Sequence, residues 1–254
     1  MSAIGRRDAM LGALGVALLL GAWESVARSG IVSPVVFPAP SVAVFGTLAR
    51  IPPAEIAGHV AISLMRIVSG FALGAVLGIA IAIAAGWYRI LGNLVRPVIE
   101  MLRPIPPLAW IPMAIVWFGL GENSKIFVIF LGAFFPILTN AYRGIAGIDP
   151  VLIRAAQTMD LSGFRLLAKV ALPAAMPDIA TGLRVGWGLS FGVLVAAELI
   201  AAESGMGFLI MNARQFGEVG TIIFGILLIG ACNLITDWGL GAALHRWLGK
   251  WHSI

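Results

Sequence analysis

Apolar residues run along this chain in blocks too long for ordinary core helices and too continuous for half-buried strands. A helix that crosses a bilayer needs about 20 mostly apolar residues. Six blocks meet or approach that length: residues 10–27, 63–87, 107–121, 125–142, 183–200 and 221–244. The second is the clearest, with no charged residue between Arg66 and Arg89. The third is short and rich in proline. The pattern predicts an all-α membrane protein with six transmembrane helices. Arg6-Arg7 ahead of the first block has the outline of a signal peptide, but further blocks follow and no small-residue cleavage pattern precedes Arg28. We read it as an uncleaved first span.

The segments between the blocks carry their own signals. Residues 30–58 hold Pro34, Pro38, Pro40, Pro52 and Pro53, which predicts a surface linker with one short helix over 42–48, capped by Ser41. Residues 201–220 form a polar segment, and residues 144–180 the longest loop. In that loop Asp149-Pro150 reads as an N-cap followed by proline at the first helical position. The helix that follows puts Val151, Leu152, Ala155, Ala156 and Met159 on one face. Ser162-Gly163 makes a turn and 164–170 a second short helix, which Pro173 and Pro177 separate from the fifth span. Such a unit suits insertion into a partner's groove, and it equally suits an amphipathic helix resting on a membrane surface. The chain divides into an N-terminal helix and linker, 1–62, and a core, 63–254, within one membrane domain.

Composition changes the picture in one respect. Hydrophobic residues make up 60% and charged residues 11%, so the bilayer must be the solvent for much of the surface. The net charge of +5 forms no basic stripe interleaved with aromatics, which excludes nucleic acid as the expected partner. The placement of that charge orients the chain instead. With the N-terminus in the cytoplasm and six alternating spans, only Arg28, Arg50, Arg66, Lys125 and Arg214 of the 17 Lys and Arg fall outside. Both termini are then expected in the cytoplasm, with loop 144–180 on the same side.

The candidate chemistry is sparse. Cys232 lies in an apolar run, and His59, His245 and His252 have no metal-ligand spacing, so no metal site is expected. No G-x-x-x-x-G-K-[ST] phosphate loop is present. Gly70, Gly74 and Gly78 lie four apart on the second span, as do Gly182 and Gly186, then Gly188 and Gly192, on the fifth. A face without side chains lets another helix come close. It serves packing within one subunit or a sliding contact, and we favour packing. Glu198 near the end of the fifth span either braces the helix or lines a gate, and bracing is preferred because a carboxylate is a poor host for an anion. Asp237 and Glu24 are read as structural. Short polar groups that could line a pathway are Thr139, Asn140, Ser190 and Asn233.

One stretch resembles a known family. Importer permeases driven by ABC ATPases carry a cytoplasmic loop of pattern E-A-A, three residues, G, nine residues, I-x-L-P. Here Arg154-Ala155-Ala156, Asp160 and Val170-Ala171-Leu172-Pro173 fall on that spacing, with Gly163 nearby. Arg154 replaces the glutamate and Asp160 the glycine, which puts a backbone-only role at 160 in doubt. Further likeness comes from His59, Ser63-Leu64, Arg66 and Gly70-Phe71, the run from Arg103 to Pro112, Trp117 to Glu122, Phe135-Pro136, Val195 to Ile200 and Gly205-Met206-Gly207. These resemble the nitrate, taurine and alkanesulfonate branch of ABC permeases, with the taurine and alkanesulfonate members nearest.

The resemblance implies a type I importer permease in a bacterial inner membrane. It implies a homodimer, a pair of ATPase subunits that use ATP and Mg, a periplasmic solute-binding protein, surrounding lipid, and no cofactor on this chain. Ala155 and Ala156 would form the docking face for the ATPase, with Met159, Gly163, Leu172 and Pro173 shaping the loop and Arg154 and Asp160 at its rim. The cargo would be a small oxyanion, taurine or another aliphatic sulfonate, with nitrate or bicarbonate as the alternative. Readings from other classes are a gradient-driven transporter, which usually shows internal repeats, an intramembrane enzyme, which needs a paired nucleophile and base, and a membrane scaffold. No repeat and no such pair is evident.

Overall fold

The computed structural model describes residues 6–248 and is helical throughout its regular elements, with no strand among the described residues. In chain order the helices are α1 (Arg6–Arg28), α2 (Pro40–Arg50), α3 (Pro53–Trp87), α4 (Arg89–Leu102), a 3-10 turn (Pro107–Trp110), α5 (Ile111–Phe118), α6 (Glu122–Ala146), α7 (Pro150–Thr158), α8 (Gly163–Leu166), a π turn (Leu167–Ala171), α9 (Leu172–Ala201), α10 (Met206–Gln215) and α11 (Val219–Leu248). Five of these, α1, α3, α6, α9 and α11, contain a stretch long and apolar enough to cross a membrane. Lys250 and His252 lie outside the described residues.

The third block is built differently from the expectation. Residues 107–121 do not form one span. Ile111–Phe118 is 8 residues, about 12 Å of helix, against a hydrocarbon core of about 30 Å. It is joined to α4 through Arg103–Pro106, and the two legs meet at 86°. Prolines at 104, 106, 107 and 112 remove the N–H donors that a straight helix would need. Only the bent pair taken together could count as a sixth span.

Helix α6 is the central element, with α3 against one side and α9 against the other. The glycine steps explain how the three come so close. A Cβ on Gly70 would sit 2.7 Å from Ile129 Cγ2, and one on Gly74 would sit 2.9 Å from Ala133 Cβ. On the other side, a Cβ on Gly182 would meet Asn140 Cβ at 3.0 Å and one on Gly186 would meet Ile137 Cγ1 at 2.9 Å. Gly78 sits in the same buried row. These rows are therefore packing faces inside the chain. Gly188 and Gly192 differ, with nothing within 4 Å of an added Cβ. Between the helices, Ile67, Ile129, Phe191, Leu194 and Met206 build one core cluster, and Leu138, Ala141, Ile145, Ala175 and Ile179 build another toward the opposite end.

The contrast makes a test. Gly70→Val places three carbons where Ile129 already stands, and overpacking of this kind costs about 1–3 kcal/mol or more. It should lower the melting midpoint of the detergent-solubilised protein, whereas Gly188→Val should leave it unchanged. Equal midpoints for both variants would contradict this packing.

Two local expectations are corrected. Ser41 does not cap α2. The helix begins at Pro40, and Ser41 lies in its first turn, where its hydroxyl donates to Glu24 Oε1 at 2.6 Å and its N–H to Glu24 Oε2 at 3.2 Å. A carboxylate from α1 thus satisfies the positive end of α2. Nor do Pro173 and Pro177 separate the loop from the fifth span. The chain passes from α8 through the π turn into α9 without a break. A wider i→i+5 turn immediately before Pro173 relieves the clash its ring would make with the preceding turn.

Candidate functional site

The loop between α6 and α9 is the most organised polar segment. Asp149 caps α7, its carboxylate accepting from the Val151 N–H at 2.7 Å, as the sequence predicts. The helix ends in a Schellman turn: Leu161 N–H donates to Ala156 O at 3.2 Å and Asp160 N–H to Gln157 O at 3.1 Å. That turn requires a left-handed residue, and Asp160 supplies it at φ 60°. The backbone role expected of glycine is therefore kept by aspartate, one of the few other residues that visits this region. Gly163 follows with φ 52°. Asp160→Gly should preserve the fold and slightly raise the melting midpoint, while Asp160→Val should open the turn and expose the loop to limited proteolysis. Protease resistance of Asp160→Val equal to that of the parent would contradict the turn's role.

The exposed face of this loop is apolar. Val151, Leu152, Met159 and Phe164 are all exposed, the last two at 77% and 79%. Ala155, Arg154 and Arg165 lie exposed with them. Ala156 does not share that face. It is the buried residue of α7, which folds back on α8 and the π turn. The expectation that Ala155 and Ala156 share one exposed face is corrected: Ala155 is exposed, as are Met159 and Phe164, and Ala156 is buried. Ala156 is small because the loop closes on it. Leu172 and Pro173 are half-buried where the loop joins α9.

At the opposite end of the bundle lies a buried ion network. Helix α6 begins with Glu122 and α9 ends just past Glu198, so both carboxylates reach the same level. Arg66 of α3 stands between them, its side chain 1% exposed. It donates to Glu198 Oε1 at 2.6 Å, to Glu122 Oε1 at 2.7 Å and to Ser204 O at 2.6 Å. Lys125 Nζ reaches Glu122 at 3.1 Å. Two cations thus face two anions, and the group is close to neutral. Glu198 also accepts from Ser63 Oγ at 2.7 Å and from the Gly207 N–H at 2.8 Å. Ser63 in turn accepts from the Met206 N–H, and His59 Nδ1 from the Gly205 N–H. The carboxylate so caps α10, where the helix dipole favours negative charge. Gly205, at φ 119°, and Gly207 are required because a Cβ on either would collide with the Glu198 side chain.

The polar residues read as pathway candidates are not gathered into one place. Glu198 is locked in the ion network and braces it. Ser190 is buried, its hydroxyl donating to Gly186 O at 2.8 Å. Asn140 donates to Pro136 O on its own helix. Asn233, on α11, has a buried Oδ1 without a hydrogen-bond partner. Thr139 does line a half-open cavity of about 410 Å3 between the ends of α3, α4 and α6. Asp237 is paired with Arg184 at 2.7 Å across α9 and α11, in keeping with a structural role. Sequence reasoning missed the partner of Glu198. The signal available was the presence of Arg66 inside an apolar span, where ionisable side chains pair. Among the described residues no group of three or more His, Cys, Asp or Glu could hold a metal ion.

Comparison with known proteins agrees with this architecture. The family model described as "Binding-protein-dependent transport system inner membrane component" matches residues 70–248. The chain is 38% identical over 243 residues to the taurine transport system permease protein of Escherichia coli (strain K12), covering 94% of this chain and 88% of that one. It is 40% identical over 187 residues to the bicarbonate transport system permease protein of Synechococcus elongatus, covering 73% of this chain and 67% of that one.

Proposed function

The chain belongs to the family of binding-protein-dependent transport system inner membrane components, the permeases of ABC importers, and from that premise we propose that it carries a small oxyanion, most simply taurine or another aliphatic sulfonate, into the cytoplasm. Family membership favours this reading over a gradient-driven transporter, an intramembrane enzyme or a scaffold. The observation that carries the reading of mechanism is the exposed apolar face of the loop after α6. Large apolar side chains on a water-facing loop among arginines mark a surface that another protein covers.

In this reading two ATPase subunits grip two copies of the loop, and ATP and Mg act on those subunits. The loop lies in the cytoplasm with both termini, and the ion network faces the side from which a solute-binding protein delivers cargo. ATP binding closes the ATPase pair. The loop, continuous with α9 through the π turn, passes that motion to a rigid α3–α6–α9 layer, which rocks between outward and inward states. Two copies of this chain form the pathway between them.

Uptake of labelled taurine by cells lacking the gene, with and without its restoration, tests the cargo. Taurine uptake that depends on the gene supports the sulfonate reading. Gene-dependent bicarbonate uptake without taurine uptake replaces it with the second reading, which the likeness to the bicarbonate permease favours.

A further inference from the structure

The cavity at the loop end of the bundle has a charge pattern that the proposed mechanism does not use. Arg96 reaches it from α4, Arg103 from the residue that follows that helix, and Arg143 from the last turn of α6. Glu100 lies at its wall and holds Arg96 at 2.7 Å. Arg103 and Arg143 form no ion pair among the described residues. Three guanidinium groups against one carboxylate leave an excess of two positive charges around one hollow. Its lining is mostly apolar, with Ile99, Leu138 and Tyr142 among the residues that form it. Arg103 is fixed there by the chain itself, since it follows α4 where Pro104 begins the 86° bend. Its volume of about 410 Å3 lies within the range of small-molecule sites, about 300–1,000 Å3.

We propose that this cavity is an oxyanion site, in which Arg103 and Arg143 hold a sulfonate or phosphate group between them while Arg96, restrained by Glu100, closes the third side. Guanidinium matches such a group with two parallel N–H donors. The apolar lining keeps one side of the pair out of water and strengthens it. Arg96, Arg103 and Arg143 are all exposed and line one hollow, so an oxyanion arriving from solvent can reach each of them. The oxyanion comes either from a free solute at the inner mouth or from the headgroup of an anionic lipid. The site rests on its own geometry and would stand if the ATPase partnership failed.

Phenylglyoxal, which modifies accessible guanidinium groups, tests it on the full chain in lipid nanodiscs, with reaction at each arginine read by peptide mass spectrometry. Arg89, exposed at the start of α4, serves as the control. In phosphatidylcholine discs with chloride alone, Arg103 and Arg143 should react freely. Millimolar methanesulfonate or inorganic phosphate that slows both without slowing Arg89 supports the site and assigns it to a free oxyanion. Slowing in phosphatidylglycerol discs without added anion, again sparing Arg89, supports it and assigns it to lipid. Arg103→Gln should weaken protection of Arg143 by about tenfold or more, as loss of a charge-assisted contact predicts. Arg103→Lys should restore part of it. Reaction at Arg103 and Arg143 that follows Arg89 under every anion and lipid would overturn the proposal.

Discussion

Arg66→Leu should lower the melting midpoint of the detergent-solubilised protein by roughly 10 °C and sharply reduce the amount recovered from membranes. The variant leaves Glu198 buried with its strongest partner gone and Glu122 balanced by Lys125 alone. Removing one partner of a buried pair costs about 3–5 kcal/mol, against a total stability of about 5–15 kcal/mol for a folded domain. At about 2–4 °C per kcal/mol for a chain of this size, the shift is readily measured. Arg66→Leu combined with Glu198→Gln should recover more than half of the loss, because no uncompensated charge then remains between α3 and α9 while the amide oxygen can still accept from the Gly207 N–H. The single variant should also loosen the Gly205–Gly207 turn, since Arg66 donates to Ser204 O just ahead of it. A midpoint for Arg66→Leu within about 2 °C of the parent would show that the network is not what joins these helices.

The second large effect concerns the loop. Ala155→Trp sits on the exposed face of α7, so it should leave the melting midpoint unchanged. Beside Met159 and Phe164 it should block a close-fitting partner, reducing uptake to below about a tenth of the parent, as misfit at an interface centre does. Ala156→Trp behaves differently in this account. It overpacks the loop where α7 closes on α8, so lost uptake should come with greater susceptibility to proteases. Normal uptake by Ala155→Trp would remove the loop from the coupling path. The pair of variants separates a contact on the partner side from the loop's own packing.

Much of the fold could be read from the sequence where a single physical rule governs a long run. The spans of α1, α3, α6, α9 and α11 follow from apolar length, and the start of α7 from Asp149-Pro150. The close approach of α3 and α9 to α6 follows from the spacing of Gly70, Gly74 and Gly78 and of Gly182 and Gly186. The structure departs from the sequence pattern where local rules compete. Pro107 and Pro112 look like part of one span, yet they belong to a bent pair. Pro173 looks like a break, yet the π turn ahead of it carries the helix through. Ser41 is a good cap by type, but Glu24 from another helix takes that place.

The site was legible only in part. The loop's turn survives the change from glycine to Asp160 because the left-handed region tolerates aspartate, which spacing alone does not reveal. The face that Ala156 takes depends on how α7 folds against α8. The contact of Arg66 with Glu198 joins residues far apart in the chain, and each alone reads as an isolated charge in an apolar block. Only the helix layer that the glycines permit brings them within hydrogen-bonding distance.

In the proposed mechanism this chain is the membrane half of a machine whose ATPase is a separate protein gripping the α7–α8 loop. The most direct measurement is a mild-detergent pull-down of the tagged chain from its native membrane, with the bound proteins quantified by mass spectrometry. The account predicts an ABC ATPase in near-equal amount, lost in the Ala155→Trp variant while the permease itself is recovered intact. Recovery of folded permease with no ATPase, repeated across mild detergents, would contradict it.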